Sequence, residues 1–337
     1  MTETLYELCK LSGTSGREES IRNYIIDKIK DKADIKIDAL GNIIAYKKGK
    51  SKAEKTVMVD AHMDEVGLIV TYICSDGTLK FDTVGGINIP VIIGKRVTVN
   101  GLTGVVGIKP IHLSGKDELK KTPEKSSLYI DIGAKTKAEA EEKVALGDVA
   151  YFEDDGFSLG QLFCSKAIDD RMGCAELIEI VNTYDEYDFY ATFTCLEEVG
   201  GAAGCVAAAI APDVALVLEA TTASDVAGVP DGKKVCEVGK GVAVSFMDRA
   251  TVYDKALFDT ALKTAKEKGI ACQVKSAVAG GNNAGSIHKS GKGVRTLALS
   301  VPTRYIHSPL SVADTDDMLS AVMLAKEMIT AAASGKV

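Results

Sequence analysis

Several absences narrow the class of this 337-residue chain before any motif is read. Its eight cysteines form no Cys-x-x-Cys pair, and several lie in apolar runs. They read as buried thiols of a protein in a reducing compartment. The N-terminus, Met1-Thr-Glu-Thr-Leu5, has no basic segment followed by an apolar one, which argues against a signal peptide. The most apolar stretch, Cys205 to Ala220, is broken by Pro212, Asp213 and Glu219, so it is not expected to cross a membrane. Net charge is −7, and no stripe of Lys and Arg is interleaved with aromatics, so no nucleic-acid partner is expected. The lysines of 47–55 and 115–125 are spread over loop-like stretches and read as solvated surface. There is no internal repeat and no low-complexity tract. A cytoplasmic enzyme, partnered by neither membrane nor nucleic acid, is the expectation.

What is present points to an α/β protein. The apolar share, 46%, is ordinary for a globular chain, and the length suits one large domain with a smaller one. Residues 3–32 carry a helical pattern, with Ser15 and Glu18 spaced as a capping box before Ile21, Tyr24, Ile25 and Ile29. Asp38-Ala-Leu-Gly-Asn42 is a turn between two strand-like runs, and Thr56 to Ala61 is a nearly continuous apolar strand, as in a sheet covered on both faces. From about 67 to 160 the texture changes to short β-rich runs (67–74, 90–98, 101–108, 127–131, 148–152) with one helix near 136–145. Such spacing suggests a small barrel or sandwich inserted into an α/β domain. Strand and helix then alternate again: helices over 169–182, 254–268 and 314–333, strands over 188–195, 214–219 and 294–301.

His62, Glu197, Glu198 and Glu219 each end an apolar run, His307 follows one closely, and Asp169-Asp170 opens a helix. In open α/β sheets ligands bind beyond the carboxyl ends of the strands, so this topology gathers those side chains at one edge. Any one of them alone reads as structural or solvated; their recurrence at equivalent strand ends is the signal. Carboxylate and imidazole together suit hard and borderline divalent metals.

The segments Val59-Asp-Ala-His-Met-Asp-Glu-Val-Gly67, Lys166-Ala-Ile-Asp-Asp-Arg-Met-Gly173, Glu197-Glu-Val-Gly200 and Tyr305-Ile-His-Ser-Pro309 resemble the M42 family of metallo-aminopeptidases. These are glutamyl- and leucyl-type enzymes that build tetrahedral particles, and proteins resembling them have been labelled endoglucanases. The resemblance runs nearly end to end, through Leu11-Ser-Gly-Thr-Ser-Gly16, Asp38-Ala-Leu-Gly-Asn42, the His112 segment and Asp131-Ile-Gly-Ala134. It implies a zinc-peptidase-like α/β/α sandwich, residues 1–66 and 161–337, with a small β-rich, barrel-like dimerisation domain inserted over 67–160. It implies two divalent metal ions, zinc foremost, with cobalt or manganese as alternatives. Asp169 would bridge them, His62 and Glu219 completing one site and Glu198 and His307 the other. Glu197 would be the general base towards a metal-bound hydroxide, and Asp64 would orient His62. Asp170 would be a structural partner of Asp169. Asp60, Glu65, His112 and His288 would be structural, with a site-lining role open for His112. The partners implied are peptides with a free N-terminus and further copies of the chain, as a homodimer building to a dodecamer.

Four departures from the family pattern stand out: Leu196 before the glutamate pair, Gly200-Gly-Ala-Ala-Gly204 after it, Glu219 where Asp is common, and Gly281-Asn-Asn-Ala284 in place of Gly-Thr-Asp-Ala. They leave open a related metal-dependent N-acyl deacylase; a β-glucan hydrolase or a silent assembly protein fits the residues less well. Thr303 and Arg304 could line a substrate pocket or, for Arg304, form a surface ion pair.

Overall fold

A computed structural model describes residues 1–115, 120–153 and 156–337. The lysine-bearing stretch at 115–125 therefore lies partly outside the described residues. Four parallel strands form the centre of a large sheet, side by side in the order Phe189–Thr194, Val57–His62, Val214–Thr222, Arg295–Arg304. Antiparallel strands extend it on both sides, to eleven strands among the described residues. All six residues of Val57–His62 are buried, as expected of a central strand with helices on both faces.

One helical layer comprises Thr2–Lys10, Glu19–Ile29, Ile168–Thr183 and Thr315–Ala333, which pack on one another and on the sheet. Ala203–Ile210 and Ala284–Ile287 pack together and against the sheet as a further helical group. The result is an α/β/α sandwich with one continuous apolar core. No helix among the described residues is long and apolar enough to cross a membrane.

The β-rich block closes into a six-stranded antiparallel barrel: Gly67–Ile73, Leu79–Val84, Leu128–Asp131, Leu102–Ile108, Arg96–Val99 and Val149–Phe152, in that order around the wall. Its interior (Leu68, Leu79, Phe81, Val97, Ile130, Phe152) is a second core, separate from the first. Closure removes the exposed edges a small open sheet would present.

Sequence and structure part at several places. The helical pattern over 3–32 is two helices with a loop between them. Ser15 caps neither; its hydroxyl donates to Asp64 Oδ2 at 2.6 Å. Glu18 is the N-cap residue without a side-chain cap, and its carboxylate instead accepts the N–H groups of Gly16 and Leu196. The run at 90–98 starts as a 3-10 turn, Ile89–Ile92, because Pro90 has no N–H for a ladder. Phe157–Leu159, grouped with the β-rich block by sequence, pairs with Leu162–Ser165 at the edge of the large sheet. Glu219 does not end its strand, which continues to Thr222.

A buried ionic cluster ties the N-terminal segment to the centre. Arg171 is fully buried and donates to the carbonyls of Leu8, Leu11, Gly13 and Met63 and to Glu65. Lys166 adds a bond of 2.7 Å to the Glu65 carboxylate. Glu65 is thus committed to structure, since buried charges persist only when paired and fully hydrogen-bonded.

Candidate active site

The carboxyl end of Val57–His62 delivers the His62 ring, which is 1% exposed, to the sheet edge. His62 Nδ1 lies 3.1 Å from the Asp64 carbonyl oxygen, which can only accept. That assigns the proton to Nδ1 in the neutral ring and leaves the Nε2 lone pair pointing outward. Nε2 faces Asp169 Oδ1 at 3.2 Å and Glu219 Oε1 at 3.5 Å. On the other side, His307 Nε2 faces Asp169 Oδ2 at 3.3 Å and Glu198 Oε2 at 3.5 Å. Two groups that could hold a metal ion result, His62–Asp169–Glu219 and Asp169–Glu198–His307, and they share Asp169.

The backbone around these groups is unusual. Ala167, Leu196, Tyr305 and His307 are non-glycine residues with positive φ, between 55° and 65°. Each sits in, or one to two residues from, a segment that supplies a candidate ligand. Such strain persists only where the surroundings over-determine it, and it clusters at functional sites. The Asp169–Asp170 peptide bond is cis. Asp170 faces inward, accepting the N–H of His62 at 3.2 Å and of Gly173 at 3.0 Å. A Cβ on Gly173 would come within 2.5 Å of that carboxylate, so the position needs glycine.

Asp64 is the organising residue. Its Oδ1 accepts the N–H of Glu197 at 3.0 Å and its Oδ2 the N–H of Glu198 at 3.1 Å, while Oδ1 lies 3.3 Å from His62 Nδ1. Burial opposes its charge, but His62, Ser15 and the Glu198 N–H outweigh burial and hold its carboxyl below the usual range. One side chain therefore orients the histidine and anchors the backbone of both glutamates.

Electrostatically the cluster is short of positive charge. Burial, reinforced by Asp169, pushes Glu198 up to about 8. Burial likewise raises Glu197 and carries Glu219 well above its ordinary value. Asp169 is held far down, because its bonds to His307 and His62 overcome burial. Carboxylates packed this closely behind outward-facing imidazole nitrogens fit a divalent cation better than they fit one another.

A cavity of about 220 Å³ opens beside the cluster, lined by Asp169, Glu219, His307, Thr221, Thr222, Lys275, Ser300 and the segment Ala279–Asn282. A larger hollow of about 1110 Å³, between residues 16–23, 37–41, Tyr151 and Leu196, contains none of the candidate ligands, so size alone does not choose the site.

Glycines 85 and 86, at the rim of the barrel, also reach the cluster. A Cβ on Gly85 would lie 3.1 Å from Glu198, and one on Gly86 would lie 3.3 Å from the His307 ring. Nothing in the local sequence marks them. His112 is exposed on a short barrel turn and joins neither group. His288 Nδ1 faces the Ala284 carbonyl at 2.6 Å and joins neither group. Arg304 is held bidentately by Asp225 at 2.7 and 2.6 Å, and Thr303 is fully buried; neither lines the cavity. The two asparagines at 282–283 part company. Asn282 lines the cavity, whereas Asn283 is buried and donates to Asp60 and Thr194 at 2.8 Å each.

The family described as M42 glutamyl aminopeptidase matches residues 41–324. This chain belongs to the M42 family. A protein of Acetivibrio thermocellus is 39% identical over 97% of this M42 chain and 99% of its own length. A TET aminopeptidase from a marine-sediment Thaumarchaeota archaeon superposes with a TM-score of 0.93 at 32% identity, over 97% of this M42 chain and 95% of its own. The Pyrococcus horikoshii TET1 peptidase, which can assemble into a tetrahedron or a large octahedral shell, gives a TM-score of 0.83 at 33% identity, over 96% and 98% of the two chains. An M42 protein is a peptidase, a hydrolase of peptide bonds, and the α/β/α sandwich with its barrel is the fold of these neighbours.

Proposed function

We propose that this protein is a two-metal aminopeptidase removing single residues from peptides with a free N-terminus. The observation that carries the proposal is Asp169, whose two oxygens face two separate histidine–carboxylate groups. His62 and Glu219 would hold one ion, Glu198 and His307 the other, and Asp169 both. When bound, such a pair supplies Lewis-acid polarisation of the scissile carbonyl and lowers the pKa of water.

The protein's own residues do the rest. Glu197 belongs to neither ligand group and stands beside both, with its backbone N–H fixed on Asp64. It accepts the proton from the attacking water on its carboxylate and returns it to the leaving amine. Asp64 holds His62 in the tautomer whose Nε2 is free. The carboxylates facing the cavity attract the substrate's ammonium group, which favours unblocked N-termini over acylated ones. Zinc is the first expectation for a mixed histidine–carboxylate site, with cobalt and manganese also accommodated. Self-association through the barrel into a dimer and then a shell is the corresponding reading of assembly, in line with the TET1 neighbour.

The test is hydrolysis of unblocked and N-acetylated aminoacyl anilides by chelator-stripped protein with Zn, Co or Mn added back. Restored cleavage confined to free amines supports the reading. Cleavage of blocked substrates alone would make the protein a deacylase, and chelator-resistant release of sugar from a β-glucan would overturn the peptidase mechanism. Glu197→Gln is expected to lower kcat by about 10²- to 10⁴-fold, the usual worth of a general base, with metal content by elemental analysis unchanged.

A further inference from the structure

The two histidines of the cluster are supported in different ways. Nδ1 of His62 is fixed by the Asp64 carbonyl at 3.1 Å. Nδ1 of His307 has no hydrogen-bond partner among the described residues. The barrel backbone lies against it instead. A Cβ added to Gly86 would stand 3.3 Å from that nitrogen, closer than ordinary van der Waals contact. One added to Gly85 would stand 3.1 Å from Glu198 Oε2, the oxygen that faces His307. The two ligands peculiar to the outer group thus each meet one glycine of the same barrel segment.

That segment is anchored at both ends. Val84 ends its strand paired with Gly67, the first residue of the neighbouring barrel strand. Gly67 follows closely on Asp64 and Glu65, and it sits against Thr14, where a Cβ on the glycine would collide. Thr14 bridges in turn to Glu65, which Lys166 and Arg171 hold. Beyond the glycines, Ile87 packs on the barrel core. The rim is therefore tied through Gly67 to the segment that carries the inner group, and through Ile87 to the barrel.

A methyl group added to an anchored backbone displaces whatever gives way most easily. At Gly86 that is the His307 ring, which is 41% exposed and stands on a loop. At Gly85 it is the Glu198 carboxylate, together with Val66 Cγ1 at 2.8 Å. Neither glycine touches a ligand of the inner group.

We propose that the barrel rim is the backstop of the outer metal site, with Gly86 setting the position of His307 and Gly85 that of Glu198, so that the affinity of the outer ion is governed from the barrel. The inference rests on the two-metal reading. Gly85 and Gly86 are positioning residues: they touch the ligands, not the substrate. Residues that orient metal ligands are usually worth about 10- to 100-fold in metal affinity, and a methyl at either glycine should cost the outer ion that much while sparing the inner one.

The experiment loads the full chain with zinc, dialyses it against graded chelator, and counts zinc per chain by elemental analysis in the wild type, Gly85→Ala, Gly86→Ala and Gly101→Ala. Gly101 is the matched control: it lies in the same barrel with the same φ of 79° as Gly85, but nothing stands within 4 Å of its Cβ position, so Gly101→Ala carries the backbone strain alone. The wild type and Gly101→Ala should hold two ions alike. Gly85→Ala and Gly86→Ala should keep one ion as tightly as the wild type and bind the other about 10- to 100-fold more weakly. Gly86→Ala added to His307→Ala should weaken metal binding no further, since the contact is already gone. Unchanged affinity for both ions in Gly86→Ala, equal weakening of both ions, or the same loss in Gly101→Ala would overturn the proposal. A wild type that holds fewer than two ions at saturating zinc would instead sink the two-metal reading itself. If neither rim variant folds, amide hydrogen exchange of the wild type decides: the second equivalent of zinc should slow exchange over 84–89 and leave the Asn100–Gly101 turn unchanged, and no slowing at 84–89 counts against the rim.

Discussion

The two candidate ligand groups share a carboxylate and the same donor chemistry, yet they are built differently. His62 is 1% exposed, comes from a central strand, and has its ring and its backbone N–H both held by aspartates. The His307 side chain is 41% exposed, lies three residues beyond its strand, and has positive φ. The inner group is part of the folded core; the outer one is assembled from loops around it. Equal donor sets therefore do not imply equal sites, and the inner ion is expected to be held more firmly and to exchange more slowly.

The sharpest way to break this comparison is to remove each histidine in turn. His62→Ala should lose the inner ion and lower kcat/KM on the order of 10³-fold or more, since a metal's charge stabilisation is worth several kcal/mol. His307→Ala should keep one tightly held equivalent after dialysis against a mild chelator. Elemental analysis during stepwise chelation reads both. Equal and simultaneous loss of the two ions from the wild type would remove the distinction between inner and outer. Asp64→Asn tests how far the inner group depends on its support. It weakens the hold on His62 and on both glutamate N–H groups, and metal affinity or activity should fall by about 10- to 100-fold, as is usual for residues behind the ligands. An unchanged variant would mean that Asp64 merely fills space.

The smallest expected effect lies behind the inner group. Glu176 is fully buried, and neither of its carboxylate oxygens has a hydrogen-bond partner among the described residues. Burial, with Glu219 nearby, raises its pKa well above the ordinary glutamate value. Because the folded state holds this proton more tightly than the unfolded chain, the penalty is absent below the unfolded pKa and grows as pH rises past it. Glu176→Met should therefore stabilise the protein, by roughly 1–3 kcal/mol at neutral pH. The gain should shrink towards pH 4, as thermal melts across pH would show. A variant less stable than wild type at pH 7 would point to an undetected partner.

Legibility from sequence followed the same division. The strands that carry His62 and Glu219 are continuous apolar runs, and a fully buried parallel strand leaves that trace. The seven candidate residues fall together because each sits on or just after such a strand, or at a helix start. What could not be read arose from contacts distant in sequence. Ser15 looks like a cap in its local context, but Asp64, remote in sequence, offers a better partner. Leu79–Val84 was missed because only part of its exposure alternates, and Ala203–Ile210 because a short, nearly all-apolar helix has no polar face to give it a period. Gly85 and Gly86 reach the cluster only because the barrel folds back onto the sheet.

The Arg171 knot places a vulnerability at the beginning of the chain. Leu8, Leu11 and Gly13 supply three of the carbonyls that solvate this buried guanidinium, which lies two residues beyond Asp169 on the same segment. A protease that trimmed the chain through residue 13 would leave this guanidinium only Met63 and Glu65, and each buried donor left unsatisfied costs about 1–3 kcal/mol. The damage would arrive at the ligand loop without any ligand having been touched. The first dozen residues thus behave as a tether under the catalytic floor, so the intactness of this terminus should be verified in any preparation before low activity is blamed on the metals.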